Sequence, residues 1–557
     1  MIKSSKIFLS LLFCAALVMS CTNDMGDDGR GGKEPLYEKE ECNVMGTVTC
    51  DGYGVAGVVV SDGVSVTKTD KSGRYWLKNV AVDREPEIFM SIPSGYETVE
   101  RKGMGQTFYH RAANVEGVQT FNFTLKKVEQ SGYELLVIAD SHVLGGASIY
   151  GSTEDVNLYN NTFIPEYKKY AQKCLDEGRR VYSVHCGDMT QHSAWKKYDL
   201  EDYREDTNLE EVLAFNAIGN HDHNSCSEFG LESFDNETQH LARKSFRETL
   251  GPAYYSVNIG TEHYVFLDNI YVNKHETAYS EKVSQQQLAW LAKDIEAVDK
   301  SKIKGVVLVM HAPMYDLNGK VVCGNGEKVL DRLRNFPLTI LIGHNHIDRT
   351  NFLQSSTGNP IVHFIHPTLA GVAWLGKITS DGVPRSFVAY NFKDGRSTKR
   401  LFVPFDEGED VNKPYRLYDN KGSRWTYPIT EFSGQENKRD DDKTKEEASS
   451  NAKPAVIVNF WGAVRCELVM DGVEDTTNAI KGGMFDLAFR DWFWTSFESS
   501  DRNSIYNDGK GTLPDWQDPY RFNSHIWRFV PNNPTVPVML DVYDAHDKCT
   551  RVTLYAK

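Results

Sequence analysis

The sequence predicts an α/β domain carried between two all-β domains, and three patterns predict it. In the middle of the chain, five apolar, β-branched runs (134–139, 180–184, 215–218, 305–309 and 337–342) alternate with helical patterns such as 163–177 and 284–298. Residues 41–127 alternate apolar and polar side chains between Gly and Asp turns, the signature of short strands. Residues 452–557 return to β patterns after a stretch with almost no apolar residue. A chain of 557 residues is too long for one core, so several domains are expected.

The N-terminus reads as an address. Residues 1–6 are a positive leader carrying Lys3 and Lys6, residues 7–19 are mostly apolar but short for a membrane span, and residues 17–21 (Leu-Val-Met-Ser-Cys) resemble a bacterial lipobox. Residues 1–20 are therefore expected to be a lipoprotein signal, cut before Cys21. An acylated Cys21 would anchor the protein to a bacterial envelope membrane, facing the periplasm or the cell surface. Residues 21–40 form an acidic, flexible tether whose start, 23–28, is similar to surface-export signals of bacterial lipoproteins. Cys42 lies close to Cys50, and Cys466 shares the last domain with Cys549; an oxidising compartment permits disulfides there without demonstrating them.

The expected strands of the N-terminal domain, 41–128, run over 44–48, 54–62, 64–67, 73–77 and 121–125. The module resembles small transthyretin-like sandwiches, and nothing in it looks catalytic.

The central runs each end in metal-ligand residues: Asp140-Ser-His142, Gly187-Asp188, Gly219-Asn-His-Asp222, His311 and Gly343-His-Asn-His346. Ligands at the carboxyl ends of strands converge on one rim, where α/β sheets place their sites. Carboxylate, imidazole and amide oxygen suit divalent Mn, Fe, Zn or Ni, with no need of cysteine. Asp188 is the candidate bridge, because one carboxylate offers an oxygen to each of two ions. Gly187, Gly219 and Gly343 would let backbone come close to the metals. Alone, His311 after an apolar strand reads as a packed histidine; five clusters in order reverse that reading.

This order and spelling resembles the calcineurin-like metallophosphoesterase superfamily, whose pattern is D-x-H, G-D, G-N-H-[DE], H and G-H-x-H. The likeness covers roughly residues 133–395 and includes 283–292, similar to the helix before the family's lone-His strand. It implies a β-sandwich flanked by helices over 131–432 and two divalent metal ions. One would be held by Asp140, His142, Asp188 and His346, the other by Asp188, Asn220, His311 and His344. It also implies that His221 stabilises the phosphoryl oxygens or protonates the leaving group, with Asp222 fixing its tautomer. In the superfamily's purple acid phosphatases a tyrosine follows three residues after the bridging Asp and binds ferric iron. Gln191 stands there in this chain, so no purple site is expected.

Outside the motifs, His223, His366 and Trp374 are candidate pocket residues, with core packing as Trp374's equal alternative. His185 and His363 lie in strand-like runs and read as packed, His192 belongs to no motif, and Cys186 reads as a small packed residue. The stretch between the second and third motifs and residues 321–335 are expected to hold a helix or loop bordering the substrate. Residues 433–451 read as a charged linker and 452–557 as a β-rich accessory domain. Its Trp461, Trp492, Trp494 and Trp527 could stack on sugars, although buried aromatics are commoner.

A net charge of −15 argues against nucleic acid as a partner. The expected activity is two-metal hydrolysis of a phosphoester, first a diester in an extracytoplasmic small molecule or a phosphorylated glycan or lipid headgroup, and second a monoester. A surface glycan-binding lipoprotein with a vestigial phosphoesterase domain is the reading from another class. It would show a broken ligand set, and this one is intact.

Overall fold

The computed structural model describes residues 38–99, 108–145, 154–191, 198–209, 211–316, 318–371, 373–418, 456–469, 480–481, 525–529, 531–533 and 535–555. The expected signal, the tether up to residue 37, Cys21, His192, the linker 433–451, Trp492 and Trp494 lie outside them.

The N-terminal domain packs two sheets face to face. Cys42–Cys50 alternates buried and half-buried residues along its whole length and is the hub of the first sheet. Tyr53–Gly54, Arg74–Lys78, Gln119–Thr120 and Phe123–Lys127 all pair with it. The second sheet runs Val66–Lys68, Val59–Ser61, Glu87–Ser91, Tyr109–Arg111. Glu87–Ser91 has no counterpart among the expected strands, and its burial explains why. All five residues are buried, so no period of two is written into them. Its neighbour in the next domain is the Tyr255–Ile259 strand: Asn258 N–H donates to the Ile92 carbonyl (2.8 Å), and Arg247 Nε reaches the Glu87 carboxylate (2.8 Å).

The central domain is a sandwich of two mixed sheets. One has the order Leu213–Asn216, Arg180–His185, Tyr133–Ile138, Ser386–Lys393, Arg396–Pro404, with the first three parallel. The other has the order Tyr255–Ile259, Glu262–Phe266, Gly305–Val309, Leu338–Ile342, Pro360–Ile365, Arg349–Gln354, with the middle four parallel. Tyr133–Ile138, Gly305–Val309 and Leu338–Ile342 are buried at every residue. Leu135 and Val137 join the core between the sheets, whereas Leu136 and Ile138 pack against Tyr167 of the helix Ile164–Asp176. A second helix, Gln285–Ala297, starts at Ser284, whose hydroxyl accepts from Gln287 N–H, and it buries Trp290 and Leu291. The helices Leu200–Thr207 and Gly326–Leu333 occupy the two stretches expected to border the substrate.

At the C-terminus, Val456–Phe460 lies between Ile526–Phe529 and Tyr415–Tyr418, the last of which precedes the charged stretch in sequence. Ala463–Leu468, Val538–Asp544 and Cys549–Leu554 form a second sheet over the same core. Trp461 and Trp527 are buried, so neither is a platform for sugars. The eight cysteines of the described residues carry free thiols. Among those residues no helix is long and apolar enough to cross a membrane.

Candidate metal centre

Both sheets point the carboxyl ends of their parallel strands at one rim, and the five motifs meet there. Asp140 and His142 follow Tyr133–Ile138, Asp188 follows Arg180–His185, and Asn220 and His221 follow Leu213–Asn216. His311 follows Gly305–Val309, while His344 and His346 follow Leu338–Ile342. Three clusters form, each with ligand atoms within 4.8 Å of one another: Asp140, His142 and His346; Asp188, His311 and His344; and His142, Asp188 and His221.

Asp188 joins the clusters. Its Oδ2 lies 3.6 Å from His142 Nε2 and 3.1 Å from His311 Nε2, so one carboxylate faces both halves of the site. His346 Nε2 is 3.0 Å from His142 Nε2 and 3.4 Å from Asp140 Oδ1. His344 Nδ1 is 3.0 Å from His311 Nε2, which is also 3.1 Å from Asn220 Oδ1.

Contacts on the far side of each ligand settle which atom faces inward. His311 Nδ1–H donates to the Cys186 carbonyl (2.7 Å), and His142 Nδ1–H donates to Gln191 Oε1 (2.8 Å), so Nε2 of both rings is left for the centre. Asn220 Nδ2 donates to the Glu276 carbonyl (2.9 Å), which turns its Oδ1 inward. For His344 the inward atom is Nδ1, because Nε2 faces the Tyr279 hydroxyl (3.2 Å) and Glu281 Oε1 (3.4 Å).

Imidazole nitrogens, carboxylate oxygens and an amide oxygen thus converge on one place, an arrangement that fits two divalent cations. In the protein alone a proton takes part of that role. Burial works against charge on Asp188, but His311, His221 and His142 outweigh it and hold the carboxyl well below the usual range. Burial likewise opposes charge on His311, yet the Asp188 carboxylate lifts it to about 10. At His142 burial wins over Asp188 and the ring falls to about 3.

The backbone is bent to make this rim. Asp140, His142, Asp188, His344 and His346 all have positive φ, between 44° and 68°. Such conformations are costly outside glycine and concentrate at functional sites. The glycines supply clearance: a Cβ at Gly219 would sit 2.1 Å from Asp188 Oδ1, and one at Gly343 2.4 Å from Asp140 Oδ2.

His221 sits within the third cluster, its ring 4.9 Å from that of His142. The role expected for Asp222 needs correction. Its carboxylate accepts backbone N–H groups of Asp188 (2.8 Å), Met189 (2.9 Å) and Gly219 (2.8 Å), stapling two ligand loops together. The tautomer of His221 is set instead by the Gln191 carbonyl, to which Nδ1–H donates at 2.7 Å.

Three candidate pocket residues also lie elsewhere. His223 is buried, with Nδ1 on the Gly219 carbonyl (2.7 Å) and Nε2 3.4 Å from Asp268. His366 is buried between the Ile342 carbonyl (2.7 Å) and the Tyr390 hydroxyl (2.8 Å). Trp374, only 2% exposed, donates its indole N–H to the Ser141 carbonyl (2.8 Å) and packs against Tyr159 and Phe405. Each holds a ligand loop from behind, and none forms a pocket wall.

Sequence reasoning missed the parts played by Gln191, Tyr279, Glu281 and Asn269. Asn269 Oδ1 accepts from Ala312 N–H (3.1 Å), just past His311. Only Gln191 carried a signal, its place three residues after Asp188.

Residues 133–348 match the family model "Calcineurin-like phosphoesterase", and residues 42–128 match "N terminal of Calcineurin-like phosphoesterase". The chain belongs to the calcineurin-like phosphoesterase family. Purple acid phosphatase 21 of Arabidopsis thaliana is 26% identical over 213 residues, 35% of this chain and 43% of that protein. The chain therefore spans less than half the length of this curated relative. Among solved structures, a dimetal phosphatase from Danio rerio gives a TM-score of 0.32 at 14% identity, over 50% of this chain and 100% of that one. Purple acid phosphatase PPD1 from yellow lupin gives 0.36 at 13%, over 64% and 68%.

Proposed function

We propose that the protein is a two-metal phosphoester hydrolase whose first substrate class is a phosphodiester outside the cytoplasm, in a small molecule or in a phosphorylated glycan or lipid headgroup. The observation that carries the reading is the position of Asp188 Oδ2 between His142 Nε2 and His311 Nε2. The family match and the phosphatase named among the relatives support phosphoester hydrolysis.

A bound metal pair would acidify water and polarise the phosphoryl group. Asp140, His142, Asp188 and His346 would hold one ion, and Asp188, Asn220, His311 and His344 the other. His221 donates its Nδ1–H to the Gln191 carbonyl, so proton exchange with the leaving oxygen falls to Nε2. Asp222 keeps the Asp188 and Asn220 loops in register through their backbone N–H groups.

Metal analysis combined with bis(nitrophenyl) and mononitrophenyl phosphates tests the reading. Two ions per chain and faster turnover of the diester are expected; Asp188→Asn should lose both metal and activity. Full activity in Asp188→Asn would sink the two-metal centre, and a monoester preference would sink only the substrate class.

We also propose that Cys21 is acylated and tethers the chain to an envelope membrane, supported by the lipobox-like residues 17–21. Cys21→Ala should release the protein from membranes, and unchanged pelleting would refute the anchor.

A further inference from the structure

The loop carrying His344 and His346 is gripped from behind at both ends. Before it, His366 Nδ1–H donates to the Ile342 carbonyl, and His366 Nε2 meets the Tyr390 hydroxyl. That hydroxyl also accepts from Arg400 Nε (2.9 Å), whose Nη1 reaches Asp348 Oδ1 (2.8 Å). Asp348 stands two residues past His346, so one chain of contacts returns from the loop's exit to its entrance.

The exit is then locked by the C-terminal domain. Asp348 Oδ2 accepts Gly462 N–H (2.6 Å), in the turn between Val456–Phe460 and Ala463–Leu468. Asp348 N–H donates to Asp381 Oδ2 (2.6 Å), which also faces His525 Nε2 at 3.0 Å. Asn459 closes the ring, its Nδ2 on the Asp381 carbonyl (2.7 Å) and its Oδ1 2.8 Å from His525 Nδ1. Asp348, Asp381, Asn459 and His525 are all buried.

We propose that the C-terminal domain is a positioning element of the metal centre: its Asn459, Gly462 and His525 hold Asp348 and Asp381 so that His346 keeps its ligating conformation. The reason is energetic. His346 (φ 57°) and His344 (φ 68°) occupy left-handed backbone, which persists only where the surroundings impose it. The side chain of His346 is 45% exposed, so packing around the ring does little to impose it. The constraint comes through the backbone, from Asp348. Asp348 and Asp381 are buried, so losing a partner would leave a polar group unsatisfied, which makes the grip stiff. The ion shared by Asp140, His142 and His346 therefore depends on a domain none of whose described residues is a candidate ligand, while the ion at Asp188, His311 and His344 depends on it less.

This rests on the two-metal reading, and metal content of the full chain dialysed against Mn²⁺ separates the two ideas. His525→Ala and Asn459→Asp break the clamp; Asn459→Asp keeps the side chain's shape but sets an acidic oxygen, in place of the amide N–H, against the Asp381 carbonyl. Arg551→Ala, which removes an ion pair to Asp541 on the far hairpin, controls for general loosening of the domain. The clamp variants should bind one ion as wild type does and the other roughly 10–100-fold more weakly, the usual effect of removing a support behind a ligand. Arg551→Ala should bind both normally. Folded clamp variants that hold both ions as tightly as wild type overturn the proposal, and so does an equal loss in Arg551→Ala. If His525→Ala does not fold, Asn459→Asp decides. A wild-type chain that binds a single ion overturns the two-metal reading alone, because the clamp is judged by variant against wild type.

Discussion

The side-chain oxygen of Gln191 lies 2.8 Å from Nδ1 of His142, and this contact decides which nitrogen of that ring faces the metals. The same residue's carbonyl takes the Nδ1–H of His221 at 2.7 Å. One residue, three positions after Asp188, thus orients a ligand and the candidate acid.

Gln191→Ala keeps the carbonyl and removes the side chain, so it separates those two jobs. Affinity at the His142 ion should fall roughly 10–100-fold, as for other supports behind ligands. The share of activity owed to His221 should survive at saturating metal. Metal titration followed by assay reads both, and unchanged metal affinity would show that His142 needs no such support.

His221→Ala should slow alkyl or sugar phosphoesters by roughly 10²–10⁴-fold, the usual worth of a placed proton donor. A nitrophenyl ester, whose leaving oxygen hardly needs a proton, should suffer far less. Equal losses on both would assign His221 to charge stabilisation instead. Lost metal would make it a ligand, a role its place beside Asp188 and His142 brings within reach.

Gly219→Ala puts a Cβ 2.1 Å from Asp188 Oδ1, so the Asp188 carboxylate must move. Metal binding should collapse while circular dichroism stays close to wild type. Gly132→Ala, whose Cβ meets nothing closer than 3.6 Å, is the tolerated comparison. A Gly219→Ala chain that retains both ions would show that the loop yields more easily than its packing suggests.

Acid should unfold the protein partly through histidines behind the site. Burial pushes His185 down to about 3, and burial with the Arg400 charge does the same to His366. An unfolded histidine binds its proton near pH ~6.5. Between those values the unfolded chain holds more protons, so stability rises with pH across the window and is lost as pH falls through it. Urea unfolding at pH 5 and pH 7 should show a smaller difference in His366→Gln than in wild type. An equal difference would mean that His366 plays no part in acid unfolding.

Much of this centre was legible in the chain before folding, for local reasons. A ligand's identity is a property of its residue, and its place at a strand end is announced by the apolar run before it. Thus 134–139 pointed to Asp140 and His142, 305–309 to His311, and 337–342 to His344 and His346, as did the glycines beside them. Glu87–Ser91 was hidden because a strand covered on both faces carries no alternation. The grouping of Tyr415–Tyr418 with strands beyond the charged stretch was hidden because pairing depends on long-range register.

Which side chains stand in front of the metals and which behind them depended on the folded chain. His223, His366 and Trp374 look in sequence like plausible pocket residues, yet they end as buried props, because direction is set by the layers packed around a residue. Asp222 looked like a partner for His221, but unsatisfied backbone N–H groups of the adjoining loops claim its carboxylate first. The left-handed backbone at His344 and His346, and the grip on Asp348 by residues more than a hundred positions later, have no local signal. Chemistry is carried by residues one at a time, whereas orientation and strain belong to contacts between segments that only folding brings together.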